Sequence, residues 1–144
     1  MMKKVFVLNG VNLSRLGKRE PGVYGSVGLD QLAAHLVGTG EALGWEVEVR
    51  QTDSEAEMAS WLHEAADADV PVIINPGAWS HYSYAIADAA REVRFLVEVH
   101  ISNIFAREEF RHHSVISEVA LGGVIVGLGL AGYDYALAHV AARG

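Results

Sequence analysis

The alternation of two apolar patterns along the chain restricts its fold more than any other feature. Short runs rich in β-branched residues, typical of buried strands, alternate with longer stretches in which apolar residues recur at helical spacing. The strand-like runs cover residues 5–8, 45–49, 70–74, 95–100 and 124–126, and the helix-like stretches cover residues 29–43, 54–66, 82–91 and 130–142. Continuous apolar strands separated by helices predict a parallel sheet that is covered by helices on both faces.

The number of these elements narrows the prediction to one architecture. Five buried strands in a small domain favour the doubly wound, flavodoxin-like strand order 2-1-3-4-5. The chain has 144 residues, close to the usual size of one domain, and it contains no internal repeat or linker. We therefore predict a single α/β domain over residues 1–144, with a flavodoxin-like three-layer fold and a five-stranded parallel sheet.

Composition excludes several classes of function. The chain carries 11 Lys and Arg against 18 Asp and Glu, and its net charge of -7 argues against a nucleic-acid partner. It has 0 cysteines, so a disulfide scaffold, a cysteine nucleophile and a thiolate metal site are excluded. The longest uncharged run, residues 119–133, is shorter than the roughly 20 residues of a membrane span. No signal peptide is apparent, and we expect a cytoplasmic protein without a membrane partner.

The segment after the first predicted strand is unusually long. Residues 9–28 show no clear periodicity, although a loop between a strand and a helix usually has only about 2–6 residues. Such loops often form lids or binding loops, and this one contains Arg19 and Tyr24 between glycines. A phenol is a poor base at neutral pH unless a nearby cation lowers its pKa. Tyr and Arg occur together in most loops, so this pair alone does not establish a function.

Three strands of the predicted sheet end in polar segments. Ligands of open α/β sheets bind outside the carboxyl ends of the strands where strand order reverses, here between the first and third strands. Residues 9–12 follow the first strand, residues 75–81 follow the third, and residues 98–103 end the fourth. Together they bring amides, imidazoles and a hydroxyl to one edge of the sheet. This edge therefore predicts a site for a small polar ligand.

Glu98 and His100 are two positions apart on a predicted strand, so their side chains point to the same face. A carboxylate beside an imidazole can fix the tautomer of the ring and favour its protonated form. That arrangement suits a general acid that works near neutral pH. The alternative is a pair at a strand end that only forms a hydrogen bond.

Other candidate motifs favour structural interpretations. His81 is predicted at the start of a helix, where a histidine is more often structural than functional. No histidine spacing matches a zinc motif such as HExxH, so we expect no metal. Residues 127–132 match the dinucleotide pattern GxGxxG. Neither a further strand nor an acidic residue follows at the required distance, so these glycines indicate close packing of a strand and a helix.

Taken together, the motifs resemble one family, the type II 3-dehydroquinate dehydratases. The resemblance covers nearly the whole chain, and its motifs occupy residues 8–17, 19–25, 51–55, 74–78 with His81, 98–103, 107–114 and 127–133. It implies a flavodoxin-like fold and a dodecamer built as four trimers. The implied reaction is the third step of the shikimate pathway. Water is removed from 3-dehydroquinate to give 3-dehydroshikimate, through an enolate and without a cofactor.

The resemblance also implies roles for five catalytic residues. Tyr24 would be the base that removes the proton next to the ketone, and Arg19 would lower its pKa. Asn12 would hold a water molecule that stabilises the enolate oxygen. His100, oriented by Glu98, would protonate the departing hydroxyl.

Six further positions match substrate-binding groups of the family: Asn75, His81, Asp88, the backbone N–H of Ile101, Ser102 and Arg111. The resemblance implies that Asn75, Ile101 and Ser102 hold the substrate carboxylate. His81 and Arg111 would bind ring hydroxyls. Asp88 would reach the site from a neighbouring subunit.

Two observations separate this function from its rivals. The other class of dehydroquinase forms a Schiff base with a lysine, but the three lysines here are Lys3, Lys4 and Lys18, none of them at the strand ends that form the predicted site. A phospho-receiver domain needs an aspartate where Asn75 ends the third strand. The remaining alternative is a non-catalytic flavodoxin-like module that binds a small polyol or acid at the same edge.

Overall fold

A five-stranded parallel sheet lies at the centre of the protein in this computed structural model, which describes residues 2–18 and 26–143. Its strands are β1 (Lys3–Asn9), β2 (Trp45–Gln51), β3 (Val72–Asn75), β4 (Leu96–His100) and β5 (Gly123–Val126). Their order in space is β2-β1-β3-β4-β5, and every pairing is parallel. The predicted strand order and flavodoxin-like architecture are confirmed.

Helices cover both faces of the sheet. They are α1 (Leu29–Ala42), α2 (Glu55–Ala68), α3 (Tyr84–Ala90) and α4 (Ala131–Arg143). Successive residues of β1 point to opposite faces, so Phe6 and Leu8 pack with α2 and α3 while Val5 and Val7 pack with α1 and α4. Two apolar cores therefore lie on either side of the sheet, and the predicted three-layer arrangement is confirmed.

Most element boundaries differ from the prediction by one or two residues, and at two of them local hydrogen bonds compete with the apolar pattern. The third strand was expected from residue 70, but the N–H of Val70 donates to the carbonyl of Ala65 (2.8 Å) and completes the end of α2. The next helix was expected from residue 82. Instead a 3-10 turn, Gly77–His81, comes first, and Ser83 caps α3 by accepting from the N–H of Ile86 (3.2 Å).

The glycine-rich segment after β5 packs as the sequence predicts. A Cβ atom on Gly132 would lie 3.3 Å from Cγ2 of Ile125 and 3.4 Å from Cγ1 of Val99. The glycine therefore lets α4 approach β4 and β5 closely, and the packing interpretation of the motif is confirmed.

The register of the sheet places the polar strand ends side by side. Asn9 at the end of β1 lies opposite Asn75 at the end of β3, and Glu98 in β4 lies opposite Ile74. The carboxyl ends of these strands meet at one edge, which holds the candidate site. Among the residues that the structure describes, no helix is long and apolar enough to cross a membrane.

Candidate active site

A cavity of about 230 Å³ opens at the carboxyl ends of β1, β3 and β4. Groups from all three strand ends line it, which confirms the predicted convergence. Its charged and imidazole side chains are Arg15, His81, His100, Arg107 and Arg111. Asn12 and Asn75 add amides, and the described lining residues include no carboxylate. In a chain of net charge -7, this pocket is suited to an anion.

The predicted pair at the end of β4 is formed. His100 Nε2 lies within hydrogen-bonding distance of Glu98 Oε2, and the two side chains are only 6% and 0% exposed. Since Glu98 is ionised, the ring donates from Nε2. His100 lines the cavity while Glu98 lies behind it, so Nδ1 is the ring nitrogen left for a ligand.

Glu98 is held by two hydroxyls as well as by the imidazole. Ser114 Oγ donates to Oε2 (2.7 Å) and Ser117 Oγ donates to Oε1 (2.6 Å). Burial alone would raise the pKa of Glu98, but the hydrogen bond and charge of His100, with the two hydroxyls, hold this pKa below its usual value. The carboxyl group is therefore ionised at neutral pH. The sequence indicated neither hydroxyl as a partner of Glu98.

A buried chain of hydrogen bonds fixes the side chain of Asn75. Its Nδ2 donates to the Tyr133 hydroxyl (2.8 Å), which in turn donates to Asn9 Oδ1 (2.7 Å). Asn75 Oδ1 accepts from the N–H of Gly77 (3.1 Å). Burial raises the pKa of Tyr133 well above its ordinary value, so the phenol stays protonated. Tyr133 therefore acts as a support for Asn75, a role that the sequence did not reveal.

His81 presents one nitrogen to the cavity. Its Nδ1 donates to the carbonyl oxygen of His113 (2.8 Å), which leaves Nε2 for a ligand. Burial lowers the pKa of His81, and the nearby positive charges of His100, Arg111 and Arg107 act in the same direction. The ring is therefore neutral near pH 7, and its Nε2 can accept a hydrogen bond from a hydroxyl. Its position in the cavity favours a binding role over a purely structural one.

A hydrogen bond to a neighbouring loop fixes the backbone at Asn12. It adopts the left-handed region, with φ 70°, and its N–H donates to Asp53 Oδ1 (2.9 Å). Gln51 Nε2 donates to the same carboxylate oxygen (3.0 Å) and to the carbonyl of Gly10 (3.2 Å). The motif at residues 51–55 thus fixes the loop that presents Asn12 to the cavity.

Among the described residues, three arginines line the cavity, and one of these was predicted from the sequence as a site residue. Arg111 lines the cavity as expected, with its Nε donating to Glu108 Oε1 (3.1 Å). Arg15 and Arg107 were not predicted as site residues, because an arginine in an irregular segment produces no periodic signal. Arg107 Nη1 donates to Ser102 Oγ (3.4 Å), so the predicted binding residue Ser102 lies beside the cavity. Ile101, also predicted to bind the substrate, lines the cavity itself.

Among the described residues, the predicted binding residue Asp88 is not brought to this cavity. Asp88 is an exposed residue of α3 and does not line the cavity of its own chain. Arg19 and Tyr24 lie outside the described residues. Within residues 2–18 and 26–143, no cluster of three or more His, Asp or Glu side chains is arranged to hold a metal ion.

Comparisons with known proteins agree with this geometry. The family model described as "Dehydroquinase class II" matches residues 3–141. The 3-dehydroquinate dehydratase of Salinispora tropica is 59% identical over 97% of this chain and 98% of its own length. That of Mycobacterium avium is 56% identical over 96% and 97%. The crystal structure of type II dehydroquinase from Propionibacterium acnes superimposes with a TM-score of 0.96 at 58% identity, covering 99% of this chain and 98% of that one.

Proposed function

The chain belongs to the class II dehydroquinase family, and we propose on that premise that it removes water from 3-dehydroquinate to give 3-dehydroshikimate, the third step of the shikimate pathway. The observation that supports this most strongly is the buried pair of Glu98 and His100 facing an arginine-lined cavity. A protein that only binds its ligand needs hydrogen bonds and charge, but it does not need a buried proton donor.

In the proposed mechanism, the first step breaks the C–H bond next to the ketone. Tyr24 takes this proton, with Arg19 favouring the phenolate form, and the electron pair moves onto the carbonyl oxygen. Asn12 holds a water molecule that stabilises the resulting enolate oxygen. No lysine takes part, and no cofactor is required.

The second step expels the hydroxyl group as water. The enolate re-forms its carbonyl, the C–O bond breaks, and His100 gives a proton to the leaving oxygen. Because Nε2 of His100 is held by the Glu98 carboxylate, the proton comes from Nδ1. The ring is then recharged from solvent or from the protonated Tyr24.

The binding residues fit an anionic polyol. Arg15, Arg107 and Arg111 provide positive charge around the cavity, which favours the substrate carboxylate. We assign Asn75, Ser102 and the N–H of Ile101 to that carboxylate. We assign the neutral His81, together with Arg111, to the ring hydroxyls.

The experiment that tests this function follows product formation directly. Purified protein is mixed with 3-dehydroquinate, and the ultraviolet absorbance of the conjugated enone product is recorded, with a borohydride-treated sample alongside. We expect the absorbance to rise in both samples, because borohydride traps only an imine. Loss of activity after borohydride would contradict the lysine-free mechanism. Ligand binding without product would instead favour the non-catalytic module.

A homo-oligomer is part of the proposal. We propose a dodecamer of four trimers, in which Asp88 of one subunit reaches the cavity of its neighbour. The exposure of Asp88 on α3, of the apolar Leu121 just before the edge strand β5, and of Val124 within that strand supports such contacts. Light scattering should give a mass of about twelve times 15.5 kDa. A monomer with full activity would contradict the shared site.

A further inference from the structure

Glu98 is a fully buried carboxylate whose two oxygens both have hydrogen-bond donors. Oε2 accepts from His100 and Ser114, and Oε1 accepts from Ser117. Its strand neighbours add no charge, because the register places Ile74 of β3 and Val124 of β5 opposite it. When His100 is neutral, its Nε2–H and the two serine hydroxyls are the described donors that remain to stabilise the carboxylate.

The two serines differ in how much else they support. Ser114 Oγ also accepts from the N–H groups of Ile116 and Ser117, both at 3.2 Å, so it shapes the turn itself. The Ser117 hydroxyl donates to Glu98 at 2.6 Å. Within the described chain, no backbone N–H donates to this hydroxyl. A change at Ser117 therefore tests the contact with Glu98 more cleanly.

We propose that Ser114 and Ser117 are positioning residues that keep Glu98 ionised throughout the reaction, so that His100 always donates from Nδ1. This inference rests on the proposed role of His100 as the general acid. When His100 gives its Nδ1 proton to the leaving hydroxyl, Glu98 loses a cationic neighbour inside the protein. A buried carboxylate without a cation is costly unless other donors stabilise it.

Without these hydroxyls, the Nε2 proton of the protonated His100 would move toward Glu98 before the reaction and leave a neutral ring with its single proton on Nδ1. A pair that holds a protonated Glu98 beside a neutral imidazole is a far weaker acid toward the substrate. The serines thus fix which of the two groups carries the proton. Because they touch neither the cavity nor the reacting atoms, their effect on the reaction is exerted through Glu98 and His100.

The proposal predicts the direction of a shift in pH dependence. Removal of the Ser117 hydroxyl destabilises the Glu98 carboxylate most when His100 is neutral. The His100–Glu98 pair should therefore keep the Nδ1 proton of His100 to higher pH. The alkaline limb of the kcat profile should move upward by about 0.5 pH unit, and kcat should fall about tenfold. Glu98→Gln removes the negative charge, so its alkaline limb should move downward instead.

Other charged groups near His100 do not change between these variants. Arg15, Arg107 and Arg111 line the same cavity, and their positive charge opposes protonation of His100 equally in each protein. His81 also lines it and is neutral near pH 7. The control is Ser60→Ala, since Ser60 lies exposed on α2 and its hydroxyl donates only to the carbonyl of Ala56 (3.2 Å). The Ser60→Ala variant should keep the pH dependence of kcat of the wild type.

The experiment is the pH dependence of kcat for wild type, Ser117→Ala, Glu98→Gln and Ser60→Ala. Opposite shifts in the first two variants support the proposal. An alkaline limb in Ser117→Ala that is unmoved, or that moves downward, overturns it. Ser117→Cys keeps the shape of the side chain but is a weaker donor, so it should shift the alkaline limb of the kcat profile upward by less. This variant replaces Ser117→Ala if the alanine variant does not fold.

A second measurement separates this proposal from the proposed function. Titration of the His100 ring by NMR in the substrate-free protein should show the same upward shift in the Ser117 variant, whether or not 3-dehydroquinate is turned over. An absence of turnover in wild type would contradict the proposed function alone. An unshifted His100 titration in the Ser117 variant would contradict the role of the serines alone.

Discussion

Two of the histidine–carboxylate pairs in the described part of the chain are in close contact but lie in very different surroundings. His100 and Glu98 lie at the end of β4 with side chains that are 6% and 0% exposed. His35 and Asp134 join α1 to α4 at 2.7 Å, with side chains that are 57% and 37% exposed. In both pairs Nε2 faces a carboxylate oxygen, so the contact itself does not distinguish them.

The difference lies in what surrounds each pair. Water solvates both members of the His35–Asp134 pair and can replace either partner, so the pair contributes little and constrains little. The Glu98 side chain is fully buried, so bulk water cannot replace its partners, and two serines and an imidazole hold it in one orientation. Burial therefore holds the imidazole of His100 in one orientation facing a cavity.

Breaking the buried pair should have the largest effect. Glu98→Gln removes the negative charge that favours protonated His100, and we expect kcat with 3-dehydroquinate to fall about 100-fold. Stopped-flow or steady-state absorbance of the enone product measures this loss, with circular dichroism as the check on folding. A folded variant that retains more than half of the wild-type kcat would contradict the role given to Glu98.

A second buried network gives a stability effect. Tyr133→Phe leaves Asn75 Nδ2 and Asn9 Oδ1 without their shared partner, and we expect the free energy of unfolding to fall by about 2–3 kcal/mol. KM should also rise, because Asn75 loses its support. The matched control is Tyr135→Phe, since Tyr135 is 60% exposed. Denaturant melts at one protein concentration compare the variants, and equal losses would refute the network.

The pH dependence of stability should follow the histidine and the glutamate of the site whose pKa values are lowered by folding. The pKa values of Glu98 and His81 are both lowered in the folded protein, so the stability linked to them is complete above the unfolded values of 4.5 and 6.5. It is lost as the pH falls through the folded pKa of each group. We expect the melting temperature to decrease from pH 7 toward pH 4. His81→Gln should reduce the decrease between pH 7 and pH 5, and an unchanged slope there would contradict this.

The exposed pair should give the smallest effect. Asp134→Asn removes the carboxylate that faces His35, and we expect the free energy of unfolding to change by less than about 0.5 kcal/mol. Catalysis should be unaffected because neither residue lines the cavity. Thermal melts at low and high salt measure the change. A decrease of several degrees in the melting temperature would mean that solvent exposure does not explain the difference between the two pairs.

The sequence predicted those parts of the site that depend on local spacing and strand order. Glu98 and His100 are two residues apart on a strand, so their shared face follows from strand geometry alone. The convergence of residues 9–12, 75–81 and 98–103 follows from the parallel order of the sheet.

Contacts that depend on tertiary packing were not predictable. Tyr133 lies 124 positions from Asn9 in the sequence, and Ser117 lies 19 positions from Glu98. The spacing of a hydroxyl along the chain does not indicate which distant residue it will contact, so only the packing of the folded chain shows that these two support site residues. The exposed contact between α1 and α4 arises in the same way, since His35 and Asp134 are 99 positions apart.

The most direct test of the account compares one histidine from each pair. Turnover of 3-dehydroquinate is measured for His100→Asn and His35→Asn at the same pH and protein concentration. The account predicts that His100→Asn loses at least about 100-fold in kcat, while His35→Asn keeps the wild-type rate. Near-normal turnover by a folded His100→Asn protein, or an equal loss in both variants, would contradict the claim that the buried pair supplies the catalytic proton.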